Sequence, residues 1–257
     1  MSRPSVAVWK FASCDGCQLT LLDCEDELLQ LAEALEIAMF LEAGPSEERT
    51  HYDISLVEGS ITTAHDADRI RDIRNRSGLL VTIGACATSG GIQALRNQAD
   101  VDDYLHVVYP RAEWIETLAT STPIADHVKV DFELRGCPIS KHQLLAALSA
   151  LLAGRRLPVS SHSVCVECKA VGNNCVLVAH GTPCLGPVTH AGCGALCPAF
   201  RRGCYGCFGP SEQANVDGLL RWFELTGMPS DGARRALASF NVNAPQFASV
   251  DREEVSP

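Results

Sequence analysis

The chain lacks an excess of positive charge, a long apolar run and any internal repeat, and each absence bears on what it can do. Lys and Arg number 21 against 31 Asp and Glu, for a net charge of −10. Scattered cations on an acidic chain give no footprint for gripping phosphate backbones, so nucleic acid is not an expected partner. The longest nearly apolar run, Leu144 to Ala153, falls far short of the roughly 20 residues a membrane helix needs. Direct membrane insertion is therefore not expected. The opening Met1-Ser2-Arg3-Pro4-Ser5-Val6 shows no basic stretch leading into an apolar one, and the Arg-Arg pairs at 155–156, 201–202 and 234–235 are internal. Neither a secretory nor a twin-arginine signal is read, and a cytoplasmic location is expected. What is present is an ordinary globular balance, with 46% hydrophobic and 20% charged residues in 257, enough for one or two domains.

The chain is rich in one residue, cysteine, of which it has 13. A reducing cytoplasm keeps thiols reduced, and an odd number leaves one unpaired in any disulfide scheme. Metal ligation or redox chemistry is the leading explanation.

Periodicity divides the chain in two. Over residues 1–157, strand-like and helix-like segments alternate. Val6 to Trp9, Asp53 to Val57, Leu79 to Ile83 and His127 to Leu134 read as strands. Leu19 to Phe40 reads as one helix through Leu21, Leu22, Leu28, Leu29, Leu31 and Leu35; Ala64 to Ser77 and Ser140 to Ala153 read as two more. This alternation predicts an α/β domain with a doubly wound parallel sheet. Residues 158–257 begin with little periodicity: eight cysteines and many glycines lie between Cys165 and Cys207. Such a segment cannot build a core of its own, and metal is the usual staple. Helical patterns return after Ser211, near Leu219 to Leu225 and Ala233 to Phe240, and Asp251 to Pro257 reads as a solvated tail.

In the first domain three strands run into cysteine-bearing loops: Ser13-Cys14-Asp15-Gly16-Cys17, Gly84-Ala85-Cys86-Ala87 and Gly136-Cys137-Pro138. Ligands of open α/β sheets sit outside the carboxyl ends of the strands, so four thiols from three such loops can converge. Gly16, Gly84 and Gly136 let the backbone approach an inorganic cluster closely. Four cysteines suit zinc or an iron–sulfur cluster; a thioredoxin-like Cys14–Cys17 pair with two buried thiols is the plainer alternative. In the second domain the order is Cys165-x2-Cys168-x6-Cys175-x8-Cys184, then Cys193-x3-Cys197-x6-Cys204-x2-Cys207. Eight thiols make two groups of four, with iron–sulfur clusters favoured and two zinc ribbons as the alternative. Twelve ligands leave Cys24, read as a core thiol near Leu21 and Leu28.

These motifs resemble those of the small, electron-transfer subunit of nickel–iron hydrogenases, most nearly the delta subunit of cytoplasmic NAD(P)-linked hydrogenases, the sulfhydrogenases. The likeness runs from Val6 to about Pro210. It rests on Ser13-Cys14-Asp15-Gly16-Cys17-Gln18-Leu19, Val57-Glu58-Gly59-Ser60, Gly84-Ala85-Cys86-Ala87, Gly136-Cys137-Pro138, Cys165-Val166-Glu167-Cys168, Pro183-Cys184-Leu185-Gly186-Pro187-Val188-Thr189 and Cys204-Tyr205-Gly206-Cys207.

The resemblance implies a flavodoxin-like first domain and a small irregular iron–sulfur domain with C-terminal helices. It implies that Cys14, Cys17, Cys86 and Cys137 hold a proximal [4Fe-4S] cluster. Cys193, Cys197, Cys204 and Cys207 would hold a medial cluster, and Cys165, Cys168, Cys175 and Cys184 a distal one. Many membrane-linked relatives carry a proline in the medial motif and a histidine at the distal site. Cys197 and Cys165 stand at those places here, which implies three [4Fe-4S] clusters of low potential, suited to a nicotinamide.

Gly16, Glu58, Gly84, Gly136 and Pro138 border the proximal site on this reading. For Glu58 a role beside the cluster and a role as a turn carboxylate both stay open. His142, His162, His180 and His190 are read as surface or supporting residues. No residue is assigned bond-making chemistry. The implied partners are a large subunit with the NiFe(CN)2CO centre, and NAD(P)-reducing subunits with FAD and further iron–sulfur clusters. The alternatives are a deazaflavin- or heterodisulfide-linked hydrogenase subunit, a subunit related to respiratory complex I, and a zinc-stabilised adaptor.

Overall fold

Five strands, Ser5–Lys10 (β1), Glu36–Phe40 (β2), Tyr52–Glu58 (β3), Ser77–Ile83 (β4) and Phe132–Leu134 (β5), lie parallel in the order β2-β1-β3-β4-β5. The computed structural model describes residues 3–44, 46–155, 157 and 160–248, apart from the side chains of Leu28, Ser230 and Ala248. The chain divides into two compact units, Met1–Pro158 and Val159–Pro257. The sheet belongs to the first, and its strand order is the flavodoxin-like one, reversing direction between β1 and β3.

Among the described residues six α-helices accompany the sheet: Gly16–Leu22 (α1), Glu25–Ala34 (α2), Ala64–Asn75 (α3), Gly84–Ser89 (α4), Val101–Val108 (α5) and Lys141–Leu152 (α6). Successive strand residues point to opposite faces, so both faces are apolar and both are covered. Val6, Val8, Ile54, Leu56, Val81 and Ile83 pack with Leu21, Leu31, Leu144 and Leu148 from α1, α2 and α6. Ala7, Trp9, Val57 and Leu80 pack with Ile70 and Ile73 of α3 and Ala87 of α4. Each fully buried Leu or Ile contributes about 1.5–3 kcal/mol. Helix starts are capped by side chains: Thr63 accepts from the Asp66 N–H and Ser140 from that of Gln143. Gly154, at positive φ, follows the end of α6.

Two sequence expectations need correction. Leu19 to Phe40 is not one helix. It turns at Asp23 and Cys24, Glu25 takes a positive φ, and the last five residues form β2 alongside β1. Leu31 and Leu35 keep helical spacing, but the open edge of β1 recruits Glu36–Phe40, as sheet context commonly overrides local preference. The strand expected from His127 shrinks to Phe132–Leu134. Its ladder is cut off at Asp131, whose carboxylate takes the Leu80 N–H (2.9 Å) and Arg74 (2.6 Å).

In the second unit the cysteine segment carries three short helices, Val164–Ala170 (α7), Val176–His180 (α8) and Leu196–Ala199 (α9). Val216–Leu225 (α10), Ser230–Leu237 (α11) and Pro245–Ala248 (α12) follow. Leu219, Phe223, Ala233, Leu237 and Phe247 close over Leu185 and Val188. The expected tail, Asp251 to Pro257, lies outside the described residues, as does the Leu28 side chain. Among the described residues no helix is long and apolar enough to cross a membrane.

Candidate metal centres

The first group of thiols gathers where the sheet reverses direction. Cys14 and Cys17 lie on the loop leaving β1 and the first turn of α1; Cys86 is on α4, directly after β4; Cys137 follows β5. Backbone bonds lock the loops together. Ala85 N–H donates to Gly136 O (2.8 Å), Phe11 N–H to Glu58 O (2.8 Å), and Ala12 and Ser60 exchange bonds. Gln93 reaches across to Ala12 O (2.7 Å) while its Oε1 meets Cys86 Sγ (3.4 Å).

The glycines shape a cradle. Gly84 has φ +86°, and a Cβ there would collide with Cys17 Sγ. A Cβ on Gly16 would touch Cys14 Sγ (3.4 Å) and Pro138 (3.7 Å). Gly136 also takes a positive φ, and the Cys137–Pro138 peptide is cis.

Glu58 ends β3 almost wholly buried, with 2% of its surface exposed. Its carboxylate accepts from the Cys17 N–H (3.0 Å), the Gln18 N–H (3.3 Å) and Gln18 Nε2 (2.8 Å). It therefore ties the first turn of α1 to β3 and fixes the backbone that carries Cys17. Burial raises its carboxyl pKa, against those three hydrogen bonds.

The four thiols lie close enough to act on one another electrostatically. Burial pushes Cys17 far up, reinforced by Glu58, Cys86 and Cys137. Burial pushes Cys137 up to about 11, with Cys86, Cys14 and Glu58 adding. Cys86 rises by burial, opposed by Gln93 and reinforced by Cys14 and Glu58. Thiolates so placed repel one another, and those of Cys17, Cys86 and Cys137 lose solvent, while Cys14 stays exposed. A multivalent cationic core reverses both penalties, and the donor set therefore fits a metal group better than four bare thiols.

The second unit holds two more groups. Cys165 and Cys168 sit one turn apart on α7, Cys175 caps α8, and Cys184 lies beyond. All four line one small hollow of about 30 Å3, walled by Val164, Val176, Leu177, Pro187 and Pro198. Burial raises Cys165, with Cys184, Cys168 and Cys175 adding. A Cβ on Gly186 would meet Cys184 Sγ (3.3 Å) and Cys165 Sγ (3.5 Å). Cys204 donates its backbone N–H to Cys184 Sγ (3.2 Å), so the third group abuts this one.

In that third group Cys193 couples to Cys197, and Cys204, pushed by burial to about 12, couples to Cys184 and Cys207. Cys193 and Cys204 also share a small apolar cluster with Cys168 and Cys184. The structure thus draws the first and second groups together as tetrads and the third as two adjoining pairs.

Among the described residues no three His, Cys, Asp or Glu close around a single ion. The donor chemistry is that of an iron–sulfur site, with four cysteines and no carboxylate lining the hollow at Cys165, Cys168, Cys175 and Cys184, so the residues fit that group. Cys24 is fully buried between α1 and α2 and bonds to Thr20 O (3.5 Å). His190 is buried too, with Nδ1 on Ala191 O (2.6 Å).

Sequence reasoning passed over three polar residues. Gln18 is 1% exposed, and its place three residues before the buried Leu21 was the available signal. Gln93 had none, because its link to Cys86 comes from the turn at Gly91. Asn173 had only the preceding glycine.

Comparison with known proteins follows this geometry. The family described as NADH ubiquinone oxidoreductase, 20 Kd subunit, matches residues 14–151. The chain is 37% identical over 235 residues to sulfhydrogenase 2 subunit delta of Pyrococcus furiosus, covering 91% of this chain and 98% of that protein. It is 33% identical to a subunit of the F420-non-reducing hydrogenase vhu of Methanocaldococcus jannaschii, covering 81% and 83%. Among solved structures, a chain of an NAD+-reducing [NiFe]-hydrogenase in the H2-reduced state matches with a TM-score of 0.57 and 28% identity, over 62% of this chain and 96% of that one. The family match ends inside the first unit, whereas the likeness to the delta subunit continues through most of the second.

Proposed function

This chain belongs to the family of the NADH ubiquinone oxidoreductase 20 Kd subunit, as a hydrogenase small subunit, and from that premise we propose that it relays electrons through three [4Fe-4S] clusters. They would run between the NiFe centre of a large subunit and an NAD(P)-reducing partner carrying FAD and further clusters. The observation that carries the proposal is the meeting of Cys14, Cys17, Cys86 and Cys137 from three strand ends in one glycine-lined cradle. The tetrad Cys165, Cys168, Cys175 and Cys184, around a single apolar hollow, supports it. The likeness to a chain of an NAD+-reducing [NiFe]-hydrogenase favours the nicotinamide-linked class.

When bound, such clusters supply one-electron carriers that need little rearrangement. The chain's own residues do the rest. The cysteine thiolates anchor the iron. Backbone N–H groups close to sulfur, such as those of Cys204 and Gly206 (3.5 Å to Cys204 Sγ), stabilise its negative charge. Glu58 holds the α1 turn so that Cys17 keeps its direction. The apolar walls of the distal hollow keep water out and the local dielectric low. No residue here makes or breaks bonds in a substrate, and H2 cleavage belongs to the partner.

The test is anaerobic purification of the intact complex, with iron, nickel and flavin analysis and an H2:NAD(P) assay. About twelve irons on this subunit are expected, four per cluster. Eight or fewer in fully loaded protein removes at least one tetrad; colourless, zinc-bearing protein removes the relay. The second reading is the hydrogenase class of the Methanocaldococcus relative, favoured by its 33% identity. A complex that consumes H2 yet leaves both nicotinamides oxidised selects it.

A further inference from the structure

We infer that Asn173 sets the reduction potential of the distal cluster by donating a side-chain N–H bond to sulfur at Cys168. The inference rests on the proposed ligation by Cys165, Cys168, Cys175 and Cys184. Asn173 lies just past the end of α7, where Gly172 takes φ +74° and turns the chain back. The backbone N–H of Asn173 donates to Cys168 O (3.1 Å), which pins the residue beside that cysteine. Its side-chain amide approaches the Cys168 sulfur. Yet Nδ2 is buried and completes no hydrogen bond of ordinary geometry.

Buried amide donors in folded proteins nearly always have an acceptor. A neutral thiol is a weak one. A thiolate or sulfide of a cluster carries negative charge, and a hydrogen bond to it is charge-assisted and roughly twice as strong as a neutral one. Bulk water is a poor rival, because the amide nitrogen itself is buried.

Reduction adds one electron to the cluster. An N–H aimed at sulfur stabilises the more negative form and raises the potential. Asn173 binds no iron on this reading. It is a positioning residue that acts through the ligand Cys168.

The experiment is an EPR-monitored redox titration of the intact, anaerobically purified hydrogenase complex. The distal signal is the one that Cys175→Ala abolishes. With iron content unchanged, Asn173→Leu is expected to shift the reduction equilibrium about tenfold towards the oxidised form, about 59 mV lower for one electron. Asn173→Asp should go lower still, because a carboxylate adds negative charge. Asn173→Gln, which keeps the donor, should recover part of the shift.

A Leu variant whose distal signal titrates with the parent overturns the inference. So does loss of the signal and of four irons in both the Leu and Asp variants, which makes the residue structural. If Cys175→Ala removes no signal from the parent spectrum, the ligand set itself falls, and the inference with it.

Discussion

In the first unit the two layers of core beside the sheet are built from Leu56, Ile83, Leu144, Ile70 and Leu80, all buried whatever happens at the strand ends. Cys14 and Cys137 lie beyond that core on loops, and Cys86 on the short helix α4. In the cysteine segment of the second unit the small cluster consists of Val164, Val176, Ala195, Cys184 and Cys204, with Cys168 and Cys193 against it. There two proposed ligands, Cys184 and Cys204, are themselves part of the core. A sheet can therefore present a metal site without depending on it, whereas a stretch of short helices and turns has to be held by what it binds. The C-terminal helices stand between these cases, since Phe223 and Leu237 give them apolar packing of their own.

The largest expected effect breaks this comparison if it fails. Stripping iron with a chelator should leave amide protection in β1, β3 and β4 nearly intact while residues 160–210 exchange freely. Hydrogen exchange followed by mass spectrometry reads this directly, and equal protection in both segments would show that the second unit folds without metal. Next, Leu144→Ala should cost about 2–5 kcal/mol, because it empties a fully buried site under the sheet. The loss belongs to the first unit's thermal transition, with distal iron retained; loss of distal iron instead would join the two units energetically.

Gly84→Ala sharpens the comparison at a single atom. The new methyl meets Cys17 Sγ at a backbone angle that suits glycine, so about four irons and one EPR signal should disappear while the rest persist. Cys197→Pro should remove about one iron and move the medial site towards [3Fe-4S] with a higher potential. An unchanged spectrum would discard Cys197 as a ligand.

The smallest effect concerns a surface carboxylate. Asp53 is held below its ordinary pKa by the Ser5 backbone N–H (2.7 Å) and hydroxyl (2.8 Å). A depressed carboxyl stabilises the fold above its unfolded pKa of about 3.9 and loses that contribution as pH falls through the folded value. Asp53→Asn should therefore destabilise the fold slightly at neutral pH, by less than about 1 kcal/mol given its exposure, and the difference should vanish in acid. A difference that grows on acidification would contradict the assignment.

Much of the site was readable because its chemistry is written in local spacing. Glycine beside cysteine after an apolar run marks a strand end, and three such marks placed Cys14, Cys17, Cys86 and Cys137 before any coordinates. Glu58 was readable only as two alternatives. Its grip on Cys17 and Gln18 joins positions 40 and 41 residues apart, and no local pattern carries that separation. Strand β2 was hidden for a related reason. Glu36–Phe40 continues a helical leucine pattern, and only the neighbouring edge of β1 makes it extended.

The order of residues by itself determined the strand–helix alternation, the cysteine groups and their glycines, since apolar period, chain reach and steric freedom act over a few residues. Tertiary structure decided the strand order β2-β1-β3-β4-β5, the short β5, the buried bridge from Glu58 to α1 and the unpartnered amide of Asn173. Those features depend on which distant backbones compete for the same hydrogen bonds and the same dry space, a competition settled only when the chain is packed.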